Sequence, residues 1–270
     1  MGIADLMPGI SGGTIAFLSG IYEELLESIK NLQLHSLKKI AWPFLLPLGG
    51  GIITAILLFS KLVYFLLNTY TAPLLGFLFG LIAASTFIYA HSAGLYGRSA
   101  GLKRPLKWVA LASGAALSYG LTILPCQQLF EAHFLWIVGA GMVGVGGMLL
   151  PGVSGSYILQ IIGVYPLLIG ALNAPGAPGS LRLLIAMGIG IALGFIIFSR
   201  VISFLLAHFH HITTASLVGF MVGGLKVLWP FGMGAVLWPS LCACAGVGVI
   251  IALEMSMERV PPKGGRKAEI

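Results

Sequence analysis

Charge is scarce in this chain of 270 residues. Asp, Glu, Lys and Arg make up 9% of it, where a soluble domain carries roughly 25%. That scarcity excludes a soluble globular domain and a disordered chain, both of which need charge to stay in water. It also excludes a nucleic-acid binder, which needs a dense basic face. Cysteine is equally sparse. Cys126, Cys242 and Cys244 form no CxxC pair, and an odd count supplies neither a disulfide framework nor a zinc site. The N-terminus lacks a basic segment followed by a small-residue cleavage site, so no signal peptide is expected. What is abundant is apolar. Hydrophobic residues make up 58%, mean hydropathy is +1.00, and there are 38 glycines and 14 prolines. Such a chain has the bilayer as its solvent.

Six apolar runs, near 43–67, 71–90, 106–124, 182–206, 212–230 and 233–253, are long enough for the roughly 20 residues that cross a hydrocarbon core. Two more, 2–20 and 134–172, are broken by Pro-Gly pairs. A Pro-Gly pair stops one helix and lets another start, and such backbone survives at membrane depth only where protein or a wet cavity satisfies it. We read both as re-entrant hairpins or broken helices. Residues 21–40 interleave Glu23, Glu24, Glu27, Lys30, Lys38 and Lys39 with leucines and isoleucines. The pattern fits an amphipathic helix on the membrane surface, or equally a plain cytoplasmic connector.

The net charge of +7 is read loop by loop. Arg98, Lys103, Arg104 and Lys107 cluster between two spans. Arg259, Lys263, Arg266 and Lys267 lie in the tail, and Lys30, Lys38 and Lys39 precede the first full span. With six spans all three regions fall on one side, which the positive-inside rule makes cytoplasmic. The opposite segments, 68–72, 125–133 and 173–181, hold only Glu131. A bacterial cytoplasmic (inner) membrane protein, multi-pass and with a cytoplasmic C-terminus, is the expectation.

The chain repeats itself at an offset of 143 residues. Pro8-Gly9-Ile10-Ser11-Gly12-Gly13-Thr14 and Gly20-Ile21-Tyr22 recur as Pro151-Gly152-Val153-Ser154-Gly155-Ser156-Tyr157 and Gly163-Val164-Tyr165. The same offset maps Thr71-Ala72, Leu74, Gly76-Phe77 and Gly80 onto Thr214-Ala215, Leu217, Gly219-Phe220 and Gly223. A register held so long marks a duplicated unit. An odd number of crossings separates the two Pro-Gly tips whether the hairpin arms count as half-spans or full spans, so the copies are inverted. Inverted repeats with matching helix breaks typify secondary transporters, whose sites lie where the repeats meet. The expected fold is therefore an all-α polytopic membrane protein of two inverted-topology repeats, with six full transmembrane helices and two re-entrant Pro-Gly-x-Ser-Gly hairpins. Residues 1–132 form repeat 1, 133–258 repeat 2 and 259–270 a basic cytoplasmic tail. Seven residues precede Pro8, against a long apolar arm, 134–150, before the second tip. A missing N-terminal stretch is expected.

Each tip has the makings of an anion site. Gly lets backbone approach a ligand, Ser offers a hydroxyl and an N-cap, and the helix that follows begins with unpaired N–H groups at a positive dipole end. Inversion would aim two such ends at one point. Ser11, Gly12, Gly13, Thr14, Ser154, Gly155 and Ser156 are the candidate phosphate or carboxylate ligands; the alternative is a tight helix break that merely packs. Arg200, well inside its apolar run, is the candidate fixed cation, with snorkelling to the cytoplasmic end as its alternative. Asp5 could bind a coupling proton or sodium ion, pair with Arg200, or face the cytosol. Tyr22 and Tyr165 match in the repeat; interfacial anchoring is preferred for them, with secondary ligand contact, together with Tyr157, as the other reading. Lys61 and Lys226 are read as snorkelling. Gly76-x-x-x-Gly80 and Gly219-x-x-x-Gly223 read as close-packing faces. Trp42, Trp108, Trp136, Trp229 and Trp238 sit near span ends as an aromatic belt. His208, His210 and His211 read as a solvated cytoplasmic turn rather than a metal site.

The run Gly2-Ile3-Ala4-Asp5, Pro8 to Thr14 and Gly20-Ile21-Tyr22-Glu23, with its second tip Pro151 to Ser156, resembles the PopT family of bacterial polyprenyl-phosphate transporters over the whole chain. The resemblance implies a carrier that returns undecaprenyl phosphate from the outer to the cytoplasmic leaflet, recycling the lipid carrier of peptidoglycan synthesis. The partners it implies are the polyprenyl phosphate and the bilayer, with a homo-oligomer left open. No cofactor or metal is expected; a coupling proton or sodium ion stays open. A transporter of a small soluble anion would share the architecture. A lipid phosphatase would need a nucleophile with a general base, and neither that pairing nor paired carboxylates occur, so no enzyme is expected.

Overall fold

The computed structural model describes residues 1–7, 11–32, 41–92, 104–129, 131–230 and 236–258. Among these every regular element is a helix: α1 (Gly2–Asp5), α2 (Gly12–Leu18), α3 (Tyr22–Leu32), α4 (Trp42–Thr69), α5 (Thr71–Ser92), α6 (Arg104–Ile123), α7 (Phe134–Leu149), α8 (Gly155–Ile162), α9 (Tyr165–Asn173), α10 (Ser180–Gly224) and α11 (Leu237–Glu258). Helices are the only open-chain way to satisfy every backbone polar group in lipid. Four of them, α4, α5, α6 and α10, are long and apolar enough to cross a membrane, and the bent pair α8–α9 makes up to five. The chain is a multi-pass membrane protein.

The expected runs 182–206 and 212–230 correspond to the two legs of α10, which a kink separates. Phe209 alone breaks the helix, with φ −132° and ψ 40°. His208, His210 and His211 are exposed and flank this kink, where the solvated turn is expected. His210 Nε2 lies 3.3 Å from a Glu23 carboxylate oxygen. The second leg ends at Gly224, and single turns follow to Leu228, so the expected run to 230 is shorter. The other expected spans match their helices to within a few residues, except that α11 begins at Leu237, four residues after the expected 233.

α3 covers the first part of the expected amphipathic segment; residues 33–40 lie outside the described residues. Its apolar side packs against the protein. Tyr22, Leu25 and Leu26 are buried in the main core with Phe17, Leu75, Leu78, Leu149, Met221 and Leu228. α3 packs on α10 and α2, and Glu23 and Glu24 stay exposed. The core therefore lies where the two helix breaks meet α5 and the second leg of α10. By contrast α4 buries only Val63 and presents Leu57, Leu58 and Tyr64 to the surroundings.

The four glycines of the small-residue faces pack reciprocally. A Cβ on Gly76 or Gly80 would collide with the carbonyl oxygens of Pro239 and Ala243 on α11. A Cβ on Gly219 or Gly223 would collide with those of Leu111 and Ala115 on α6. Positions 143 residues apart thus make the same kind of backbone-to-backbone seam, α5 on α11 and α10 on α6. The missing side chains are what bring the helices this close.

Candidate functional site

The two helix breaks lie against each other. Pro8, Gly9 and Ile10 fall outside the described residues, but the rest of tip one is ordered around Ser11. Ser11 has extended backbone and caps α2, its Oγ accepting from the Thr14 N–H at 3.3 Å. The Thr14 hydroxyl in turn accepts from the Gly152 N–H at 3.0 Å, across 138 residues of sequence. Gly13 approaches α7 so closely that a Cβ would strike the Met148 carbonyl oxygen. Tyr22 donates its phenolic hydrogen to the Leu149 carbonyl at 2.8 Å, with the hydroxyl buried. Leu149 ends α7, where carbonyls have no partner within the helix. The Tyr22 hydroxyl supplies one.

At tip two Gly152 has φ +81°, a conformation that a residue with a Cβ adopts only under strain. Its backbone touches Met221 and Gly224 on α10, and the Ser118 hydroxyl lies 3.4 Å from its carbonyl. Ser154 precedes α8 in extended conformation without bonding a backbone N–H. Its Oγ lies 2.9 Å from the Ser156 hydroxyl instead. α8 then ends at Gly163, and the chain bends by 105° into α9.

Between the breaks is a pocket of about 250 Å³. Asp5, Ser11, Ser154, Gly155, Ser156 and Tyr165 line it, with Gly141, Gly144, Met148 and Met187 forming the apolar wall. Six of the twelve residues expected at the site are brought together there. The others are placed differently. Gly12, Gly13 and Thr14 are buried in the joint between the breaks. Tyr22 is buried rather than interfacial. Tyr157 donates to the Thr122 carbonyl at 3.3 Å and lines a separate small crevice beside Gly152 and Ser118. Arg200 stands exposed on α10 and does not line the pocket.

Asp5 is the one charged side chain of the lining. Its Oδ1 accepts from the Gly12 N–H at 2.6 Å, and a Cβ on Gly12 would meet its Oδ2 at 2.7 Å. A carboxylate is thus already seated at the start of α2, as a helix dipole favours. Of the three sequence readings of Asp5, a partnership with Arg200 is not what the geometry contains. The start of α8 has no such internal anion; serine hydroxyls surround it. Sequence reasoning passed over Arg182, the one Lys or Arg between Lys107 and Arg200. That isolation was the available signal.

Comparison with known proteins gives the family. The family model described as undecaprenyl phosphate translocase-like matches residues 1–238. A polyprenyl-phosphate transporter of Vibrio cholerae serotype O1 is 36% identical over 243 residues, covering 86% of this chain and 75% of that protein. A polyprenyl-phosphate transporter of Staphylococcus aureus is 32% identical over 274 residues, covering 94% and 92%. No solved structure matches the chain. With a family model spanning both helix breaks and two relatives aligned over most of their length, this chain belongs to the undecaprenyl phosphate translocase-like family.

Proposed function

We propose that this protein carries a polyprenyl phosphate, of the undecaprenyl phosphate kind, from the outer to the cytoplasmic leaflet of a bacterial inner membrane. The observation that carries the reading is the pocket in which Ser11, Ser154, Gly155 and Ser156 converge from two segments far apart in sequence. The names of both relatives supply the substrate class. A phosphate head crossing hydrocarbon unaided is costly. Serine hydroxyls and the first N–H groups of α8 offer it hydrogen bonds without a fixed cation. The pocket is too small for a prenyl chain, so the tail stays in lipid beside the exposed faces of the helices. Translocation is not hydrolysis, and the protein acts as a carrier rather than an enzyme.

The architecture we infer is two inverted repeats, 1–132 and 133–258, followed by the tail 259–270. The reciprocal glycine seams favour it. Counting the two legs of α10 separately, with α4, α5, α6 and α11, gives six spans. The two breaks then stand as the re-entrant pair at the midplane. Alternating access would expose the phosphate pocket to one face and then the other. Asp5, the carboxyl of the pocket, is our candidate for a coupling proton or sodium ion. Arg200 stays a secondary candidate that would have to swing inward to meet the head.

Binding of undecaprenyl phosphate to the purified protein tests this reading. We expect Ser154→Ala/Ser156→Ala to weaken it by about tenfold, the loss of roughly 1.4 kcal/mol of hydrogen bonding to a charged group. Unchanged binding in that variant would remove the pocket from the mechanism. Equal competition by inorganic phosphate would favour a carrier of a small soluble anion.

A further inference from the structure

A larger cavity, of about 810 Å³, lies along the same helices as the phosphate pocket. α7 contributes Phe134 and Ile137 to the cavity and Gly141, Gly144 and Met148 to the pocket. α10 contributes Ser180, Arg182 and Leu183 to the cavity, then Met187 and Ile191 to the pocket. From Ile137 to Gly141, and from Leu183 to Met187, is four residues, about 6 Å of helix rise. α9 walls both, with Leu167 and Gly170 on one side and Tyr165 and Leu168 on the other. The two spaces thus lie in succession along the same three helices. Buried Met187, pressed against Gly141, lines the pocket one helical turn from Leu183 of the cavity. Methionine is the most adaptable side chain for a position that must yield.

The cavity is also differently charged. Arg182 and His133 line it, with Glu131 as the one carboxylate. The Arg182 guanidinium carbon sits 5.9 Å from the Phe134 ring centroid, which steers the fork over the cavity's aromatic wall. Positive charge is depleted on the side that the charge pattern makes external, so an arginine there calls for a function. Its neighbours on α10, Leu181 and Ile185, are exposed, as are Leu135 on α7 and Leu172 on α9. A cation that borders this cavity and an exposed apolar flank matches an amphiphile, with an anionic head and a hydrocarbon tail.

We propose that this cavity is a first station for the phosphomonoester head of a prenyl phosphate. Arg182 receives the head, and the tail rests on the flank of Leu181, Ile185 and Leu172. The head then passes Met187 into the serine pocket. This rests on the proposed function of that pocket, and Arg182 adds to it a loading residue that the pocket itself lacks.

The test uses the full chain in proteoliposomes, with farnesyl phosphate, farnesol and inorganic phosphate as probes. Arg182→Gln is expected to raise the concentration of farnesyl phosphate that half-saturates transport by about tenfold, the usual worth of one charge-assisted contact, and to leave the maximal rate unchanged. Arg182→Lys should fall between, and Glu131→Gln should tighten binding by removing a like charge. Ser154→Ala/Ser156→Ala, which weakens binding in the pocket, should in addition lower the maximal rate. If Arg182→Gln leaves half-saturation unchanged while the serine variant loses rate, the first station is overturned and the pocket stands. If the serine variant is neutral, the pocket reading falls, and the two-station path with it. Competition by inorganic phosphate as strong as by farnesyl phosphate, or equal binding of farnesol, would overturn the amphiphile assignment.

Discussion

Tyr22 and Thr14 tie the two helix breaks together through one hydrogen bond each, to the Leu149 carbonyl and from the Gly152 N–H. Tyr22→Phe keeps the edge-on contact with Phe17, 5.5 Å between ring centroids, and removes only the bond. It leaves a buried carbonyl without that partner, a cost of about 1–3 kcal/mol. The expected outcome is a lower melting temperature in detergent, with a milder drop for Thr14→Ser than for Thr14→Val, because only serine keeps an acceptor. Asp5 makes a different prediction. Asp5→Asn can still accept from the Gly12 N–H but brings no charge into the phosphate pocket. Binding of undecaprenyl phosphate at neutral pH should strengthen in Asp5→Asn if the carboxylate opposes the incoming anion. A weaker Kd in that variant would assign Asp5 to the binding set instead. Neither tyrosine nor aspartate roles were legible in sequence. Both depend on what stands across the joint, and a linear pattern does not record that.

The seams of α5 with α11 and of α10 with α6 are built on matched glycines. Gly80→Ala and Gly223→Ala should each destabilise, by the roughly 1–3 kcal/mol of an overpacked contact, since the obstructing atoms are backbone carbonyls that cannot swing aside. Gly49→Ala and Gly188→Ala meet nothing within 4 Å and should be silent. Thermal unfolding of the four variants in one detergent checks this. A silent Gly80→Ala would break the argument for close seams. The small-xxx-small spacing was visible in the sequence; the partner helices were not. Helix lengths too were legible for α4, α5 and α6, because lipid sets them. The break between the two legs of α10 was legible too: exposed His208, His210 and His211 surround Phe209, where the backbone leaves helical geometry. The contact of His210 with Glu23 on α3 was not, because it joins segments far apart in the chain.

For the whole molecule, the proposed inversion predicts sidedness. The exposed Cys126, in the charge-poor segment 125–133, should react with an impermeant maleimide from outside intact cells, while a cysteine placed at Lys263 should react only after permeabilisation. Labelling of both from the same side would end the six-span topology. The sequence by itself determined the solvent, the helical class and the existence of two related breaks. Composition fixes the solvent, lipid then forbids all but satisfied backbone, and the two Pro-Gly motifs recur at one offset along the chain. The tertiary structure alone decided which residues meet. It put Asp5, Ser11, Ser154, Ser156 and Tyr165 around one pocket and left Arg200 on an exposed face. It also turned Gly13 and Thr14 into a joint and opened the Arg182 chamber a helical turn away. The reason is physical: motif and periodicity act along the chain, whereas contact between segments 138 residues apart depends on the packing of every helix between them.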